Sequence, residues 1–125
     1  MNVTRLYPSV RVDAAPVSAI GSAGGVLLTE TLAGSGLASA PSAGVEPWRK
    51  PLARHDPAKV LTDLAITLAL GGDCLADAAL LRSEPDLFGA VASEATVSRT
   101  ITTLAADVER VLPAIAAARR QVRGR

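Results

Sequence analysis

Aromatic residues are nearly missing from this chain. Tyr7, Trp48 and Phe88, one of each, make up 2% of its 125 residues. Hydrophobic residues reach 49%, but Ala supplies much of that fraction. A core of Ala, Leu and Val with so few rings argues against a β-sandwich and for packed helices. It also points to marginal stability, because Ala buries little area. Cys74 is the one cysteine, which excludes an intrachain disulfide and a cysteine zinc cluster. His55 is the one histidine, which argues against a histidine metal site. Lysine is confined to Lys50 and Lys59 among 13 basic residues, a coding bias typical of GC-rich bacterial genomes rather than chemistry. The apolar stretch 60–81 is broken by Asp63, Asp73, Asp77 and Gly71-Gly72, too polar for a membrane helix. The opening MNVTRLYPSV lacks the apolar core of a signal peptide. The expectation is a soluble, cytoplasmic protein with no membrane partner.

Net charge is +1, so no global signature of nucleic-acid binding is present. The distribution is uneven. Residues 45–104 hold six basic and eight acidic groups, a balance of −2; residues 105–125 hold five and two, a balance of +3. The basic tail reads either as a phosphate-contacting edge or as a solvated helix end.

At this length one domain is expected. Ser9 to Asp13 alternates Val with polar residues and reads as a short strand, and Val17 to Ile20 as a second that would close a hairpin. Ser22 to Gly34 reads as a helix with Val26, Leu27, Leu28, Thr31 and Leu32 near one face, capped by Ser22, and Gly36 is placed for a left-handed turn after it. Pro41, Gly44 and Pro47 leave at most a short, irregular helical piece between Ala38 and Trp48.

The strongest helix start is Asp56-Pro57, an N-cap followed by Pro at the first helical position. Val60, Leu61, Leu64, Ala65, Leu68 and Ala69 then form an apolar stripe, with Lys59, Thr62, Asp63 and Thr67 off it, up to Gly71-Gly72. Asp73 is the expected cap of a next helix with Leu75, Ala78, Ala79 and Leu81 inward. Ser83 to Asp86 matches a capping box that opens a short turn through Phe88, expected to be the bulkiest core residue of this half. Ser93 caps a helix to Leu104, and Val108, Val111, Leu112 and Ile115 mark a last one that Pro113 should kink or restart. The fold class is therefore mainly α: a small helical domain with a helix-turn-helix-like part, preceded by a short N-terminal β-strand or hairpin. The division expected is 1–21 as extension and 22–125 as the helical domain.

Few residues offer chemistry. The helix at 93–104 has a narrow apolar stripe, and the rest is small hydroxyls plus one Arg. Thr96, Ser98, Arg99 and Thr102 form a short hydrogen-bonding face that suits a DNA major groove, as it would suit a plain solvated helix. Trp48-Arg49-Lys50-Pro51 with Arg54 and His55 reads as a DNA-backbone arm beside an aromatic, or as a surface linker whose Trp folds back on the core. Lys59 and the edge Arg119, Arg120 and Arg123 are further candidate backbone contacts. GSAGG at 21–25 lacks the Lys-Ser/Thr of a phosphate loop. Ser93, His55 and Asp56 have no hydrolase motif around them. Asp73 and Asp77, four apart, suit a cap and a solvated group better than a cation site. No catalytic and no metal-binding residue is assigned.

The string HDPAKVLTDLAITLALGGDCLADAALLRSEPDLFGAVASEATVSRTITTL resembles the N-terminal region of bacterial insertion-sequence transposases of the DDE superfamily, in the group numbered 1380. SVRVDAAPVSAIGSAGGVLLTETLAGSGL resembles the stretch before it, and the likeness continues to Arg125; GGDCLADAALLR and ATVSRTI are its most specific parts. Between Leu37 and Trp48, where that group has a helix, this chain has Pro41 and Gly44. The resemblance implies a truncated transposase N-terminal region that binds the terminal inverted repeats of its element. It further implies that the catalytic domain, whose acidic triad holds two divalent metals such as Mg, lies beyond this chain, which then has no cofactor or activity of its own. The rival expectations are a small helical protein that pairs with full-length transposase and inhibits it, and a non-functional remnant.

Overall fold

The computed structural model describes residues 6–10 and 24–124. Within them the chain is mainly helical, with seven helices and no strand. The expected strands at 9–13 and 17–20 lie outside the described residues except for Ser9 and Val10, which are irregular.

α1 (Gly25–Ser35) ends at Gly36, whose φ of 80° is the left-handed turn expected there. The expected cap Ser22 lies outside the described residues, and Gly24 stands at the N-cap. Leu27 does not share the inward face; it is exposed, while Gly25 and Thr29 are buried. α2 (Ser39–Val45) forms despite Pro41, and a 3-10 turn at Glu46–Trp48 follows. Pro41 is the third residue of α2, inside the first turn, where backbone N–H groups have no intrahelical acceptor and a missing one loses nothing. Gly44 is there for a different reason. α2 makes its most extensive contact with α7 (Val108–Arg123). A Cβ on Gly44 would lie 3.3 Å from the Ala114 carbonyl oxygen and 3.6 Å from the Ala118 Cβ. The absent side chain lets the two backbones approach.

α3 (Pro57–Ala69) starts as expected. The Asp56 carboxylate accepts from the Ala58 amide at 2.8 Å, and Ser42 of α2 donates to its other oxygen. Its inward face differs from the apolar stripe. Lys59, Asp63 and Thr67 are buried with Val60 and Ile66, whereas Ala65, Leu68 and Ala69 are exposed. Burying polar groups is tolerable only when they satisfy one another, and they do. The Lys59 ammonium donates to both Asp63 oxygens (2.9 and 2.8 Å) and to the carbonyls of Phe88 (2.8 Å) and Ala90 (3.3 Å). The Tyr7 hydroxyl donates to Asp63 at 2.7 Å, and the ammonium sits 4.4 Å from the centre of the Tyr7 ring. Thr67 donates to the Asp63 carbonyl at 2.8 Å. Among the described residues no buried side-chain polar atom lacks a partner.

A 3-10 turn at Leu75–Ala78 leads into α4 (Ala79–Arg82) and α5 (Pro85–Phe88). The carboxylate that serves the start of this segment is Asp77, not Asp73. Asp77 accepts from the amides of Asp73 (2.7 Å) and Cys74 (3.1 Å), which holds its carboxyl below the usual range. Ala79, expected inward, is exposed. The expected capping box is also absent: the Ser83 hydroxyl turns back to the Leu80 carbonyl at 2.6 Å and caps nothing. Phe88 is fully buried at the centre of a cluster with Tyr7, Ile66, Leu81 and Leu87. A second cluster of Val60, Ala92 and Val97 docks α6 (Glu94–Ala105) on α3. α7 runs on through Pro113 as one helix rather than restarting.

Candidate nucleic-acid interface

The Ser93 hydroxyl accepts from the Thr96 amide at 3.3 Å and starts α6. Val97 and Leu104 are buried, and Thr96, Arg99, Thr100 and Thr103 follow on one flank of the helix, about 50–150° round from that inward face at 100° per residue. These four form one wall of an open groove of about 800 Å³. Most of the segment from Trp48 to Pro57 forms the other wall, and Pro85 with Gly89, Ala90 and Val91 contributes the floor.

Each wall is anchored. Trp48 donates from its indole Nε1 to Asp107 at 3.0 Å, just past the end of α6. Arg110 bonds the same carboxylate at 3.0 Å and lies 5.6 Å from the centre of the Trp48 ring. The near end of the 48–57 segment is thus tied to the α6–α7 junction, and its far end to α3 through the Asp56 cap. Arg82 donates to the Ala92 carbonyl at 3.0 Å and fixes the approach to α6. Lys59 holds the floor from beneath through the Phe88 and Ala90 carbonyls.

The groove is cationic. Lys50, Arg54, Arg82 and Arg99 line it together with His55; no carboxylate is among its described lining residues, and of the four cations Arg82 is paired with Glu94 at 3.9 Å. A chain whose net charge is only +1 has therefore collected four permanent positive charges on one concavity. Burial, then the neighbouring Arg54 and Lys59, hold His55 below its usual pKa. An anion placed here would oppose that shift, since opposite charge favours the protonated ring. The hydroxyls of Ser93, Thr96, Thr100 and Thr103 lie on the same surface; Thr100 and Thr103 donate to the Thr96 and Arg99 carbonyls, both at 2.9 Å, and Thr96 accepts from Ser93 at 3.2 Å and from Arg99 at 3.1 Å.

The expected site residues separate into four groups. Arg54, Thr96 and Arg99 meet in the groove. Ser98 and Thr102 are exposed and do not line the groove, lying about 150° and 110° round α6 from the centre of that wall at 100° per residue. Thr102 donates to the Ser98 carbonyl at 2.9 Å. Arg119, Arg120 and Arg123 are exposed on the last turns of α7 and do not line the groove. Lys59 is turned inward, 6% exposed, with all its donors used. It is a structural cation with nothing left to offer a phosphate. In the 48–57 segment the half-buried Trp48 turns back to Asp107, as the linker alternative had it, while Lys50 and Arg54 line the groove. Sequence reasoning missed Arg82, which sits 28 positions from Arg54; no local pattern links the two.

Asp73, Cys74 and Asp77 bring three ligand atoms within 4.8 Å of one another at the surface. The set does not match three converging carboxylates. One donor is a thiol, and the Asp77 oxygen already accepts two amides. No catalytic step is derived from it. Among the described residues no helix is long and apolar enough to cross a membrane.

A family model described as "Transposase DDE domain group 1" matches residues 4–122. No curated protein and no solved structure matches the chain.

Proposed function

The chain belongs to the transposase DDE domain group 1 family, and from that premise we propose that the groove between the 48–57 segment and α6 is where it holds DNA. The observation that carries this reading is the convergence of Lys50, Arg54, Arg82 and Arg99 with the hydroxyls of α6 on one open groove, where Arg82 alone of the four has a carboxylate, Glu94, beside it among the described ion pairs. Lysine and arginine neutralise phosphates and release counterions, and this electrostatic contribution dominates affinity for DNA. Thr96, Thr100 and Thr103 add hydroxyl groups of the kind that position a backbone or touch a base edge, Thr100 and Thr103 exchanging their helix carbonyl acceptors for the nucleic acid when they donate to it. Arg119, Arg120 and Arg123 are further phosphate contacts outside the groove.

In the finer reading, the chain is the DNA-holding N-terminal portion of an insertion-sequence transposase of the group numbered 1380. It acts in the bacterial cytoplasm on the terminal inverted repeats of its element. α6 is the reading helix, although the helix before it, α5, is a single turn. Cutting and joining are assigned to no described residue.

The test is a gel shift with the terminal inverted repeat against a scrambled duplex of equal length. Two to four phosphate contacts give a log–log salt slope of roughly −2 to −4. Tighter binding to the repeat supports the reading. Equal binding to both duplexes removes the specific claim, and no shift at about 50 mM salt removes DNA binding altogether.

A second reading has one observation behind it. Val108 and Leu112, one turn apart on α7, are exposed apolar residues, a seam on which another transposase chain can pack. Co-purification with intact transposase in the absence of DNA, lost in V108K/L112K, would favour it.

A further inference from the structure

Leu52 carries two costs that the fold does not explain. It is fully exposed. Its φ is +63°, and it is the one residue other than glycine with a positive φ among those described. The Ala53 amide donates to the Lys50 carbonyl at 3.1 Å, so Lys50-Pro51-Leu52-Ala53 is a hydrogen-bonded turn. Pro51 fixes the first central residue at negative φ, and a positive φ at the second is the type II arrangement. Gly or Asn belongs at that second position. A leucine there strains the backbone, and in solvent it recovers nothing by burial.

The surroundings indicate what the exposed leucine meets. Leu52 lines the basic groove, and its turn is flanked by Lys50 and Arg54, which line it too. The segment is held at both ends, by Trp48 on Asp107 and by the Asp56 cap of α3. The tip is therefore an apolar point between two cations, on a segment anchored at both ends.

We propose that Leu52 is a wedge that enters the duplex and partly unstacks one base step while Lys50 and Arg54 grip the flanking phosphates. Apolar side chains inserted between base steps are an established means of kinking DNA, with Leu among the residues used. The side chain stands fully in solvent at the tip of the turn, and the two cations supply the attraction that holds it against the stack. The inference rests on the groove being a DNA site. It adds that the DNA is bound distorted, at one step, by this residue.

The experiment uses the full chain and duplexes from the end of the element, each carrying one 2-aminopurine at a successive position. Fluorescence reports unstacking, and anisotropy on the same duplexes reports binding. The native chain should brighten the probe severalfold at one step and leave the others dim. L52A should bind with a Kd within about tenfold of native, a loss of no more than ~1.4 kcal/mol, and lose the brightening. L52G should lose the brightening while melting at a higher temperature, because glycine relieves the turn. L52F should keep it. Binding without brightening at any position overturns the wedge and leaves the DNA site standing. Brightening that survives in L52A overturns it as well. Absence of binding overturns the groove reading and the wedge with it. Loss of a protein partner in L52A with brightening intact would make Leu52 a protein-docking residue instead.

Discussion

Replacing Lys59 by Met tests the core of this structure most directly. The side chain keeps its length and loses its charge. Asp63 is then left as a buried carboxylate with the Tyr7 hydroxyl as its remaining side-chain donor, and the Phe88 and Ala90 carbonyls lose theirs. Removing one partner of a buried ion pair costs about 3–5 kcal/mol. That is a large share of the ~5–15 kcal/mol that holds a domain of this size together. At roughly 4 °C per kcal/mol the melting midpoint should fall by about 12–20 °C. Replacing both partners in K59M/D63L should recover at least half of the loss, because the uncompensated charge is gone. The pH dependence supplies a check that packing alone would not produce. Burial already raises Asp63 above the usual carboxylate range, with Lys59 opposing the rise. Without Lys59 the rise is larger. A folded-state pKa above the unfolded one contributes stability at low pH that is lost as pH climbs through the folded value. K59M should therefore approach the native protein as pH falls toward 5 and lag furthest above neutrality. Thermal melts by circular dichroism across that range decide it. A loss under ~1 kcal/mol, or a double variant no better than the single, would refute the buried-pair account. At temperatures where K59M is folded, its salt slope for DNA should equal the native one, since Lys59 meets no phosphate.

Three further outcomes follow from the geometry. G44V forces a branched side chain against the Ala114 carbonyl and should cost ~1–3 kcal/mol by thermal melt, whereas G34A, with open space at its Cβ, should gain roughly 0.4–1 kcal/mol. R54A and R99A should each flatten the salt slope of DNA binding by about 1, while S98A/T102A should leave affinity unchanged in an anisotropy titration. His55 is held below its usual pKa by burial and by Arg54 and Lys59; a bound phosphate favours its protonated form, so binding takes up a proton and affinity should rise as pH falls from about 7.5 to about 5.5, a rise that H55Q abolishes.

What was legible in the sequence was local. Asp56-Pro57, Ser93 and Gly36 act within one turn of helix, so their roles could be read from neighbours in the chain, and all three hold. Phe88 as the bulkiest core residue of its half followed from its being the one aromatic there, and it is the largest of the fully buried side chains. The helical class followed from composition. Arg54, Thr96 and Arg99 were named from residue type and spacing, and the groove contains all three.

Non-local pairing decided the rest. The polar side of α3 turned inward because Tyr7, 56 positions from Asp63, donates to it, and because two carbonyls near Phe88 need the Lys59 ammonium. A hydrophobic pattern scores each residue by its own transfer free energy; it cannot register a charge whose desolvation is offset by partners elsewhere in the chain. The same limit applies to α2, where Pro41 and Gly44 looked like breaks until α7 supplied the surface that Gly44 fits. It applies to the groove too. Composition alone set the total charge near zero, and folding segregated it, bringing Lys50, Arg54, Arg82 and Arg99 from three separate stretches onto one concavity.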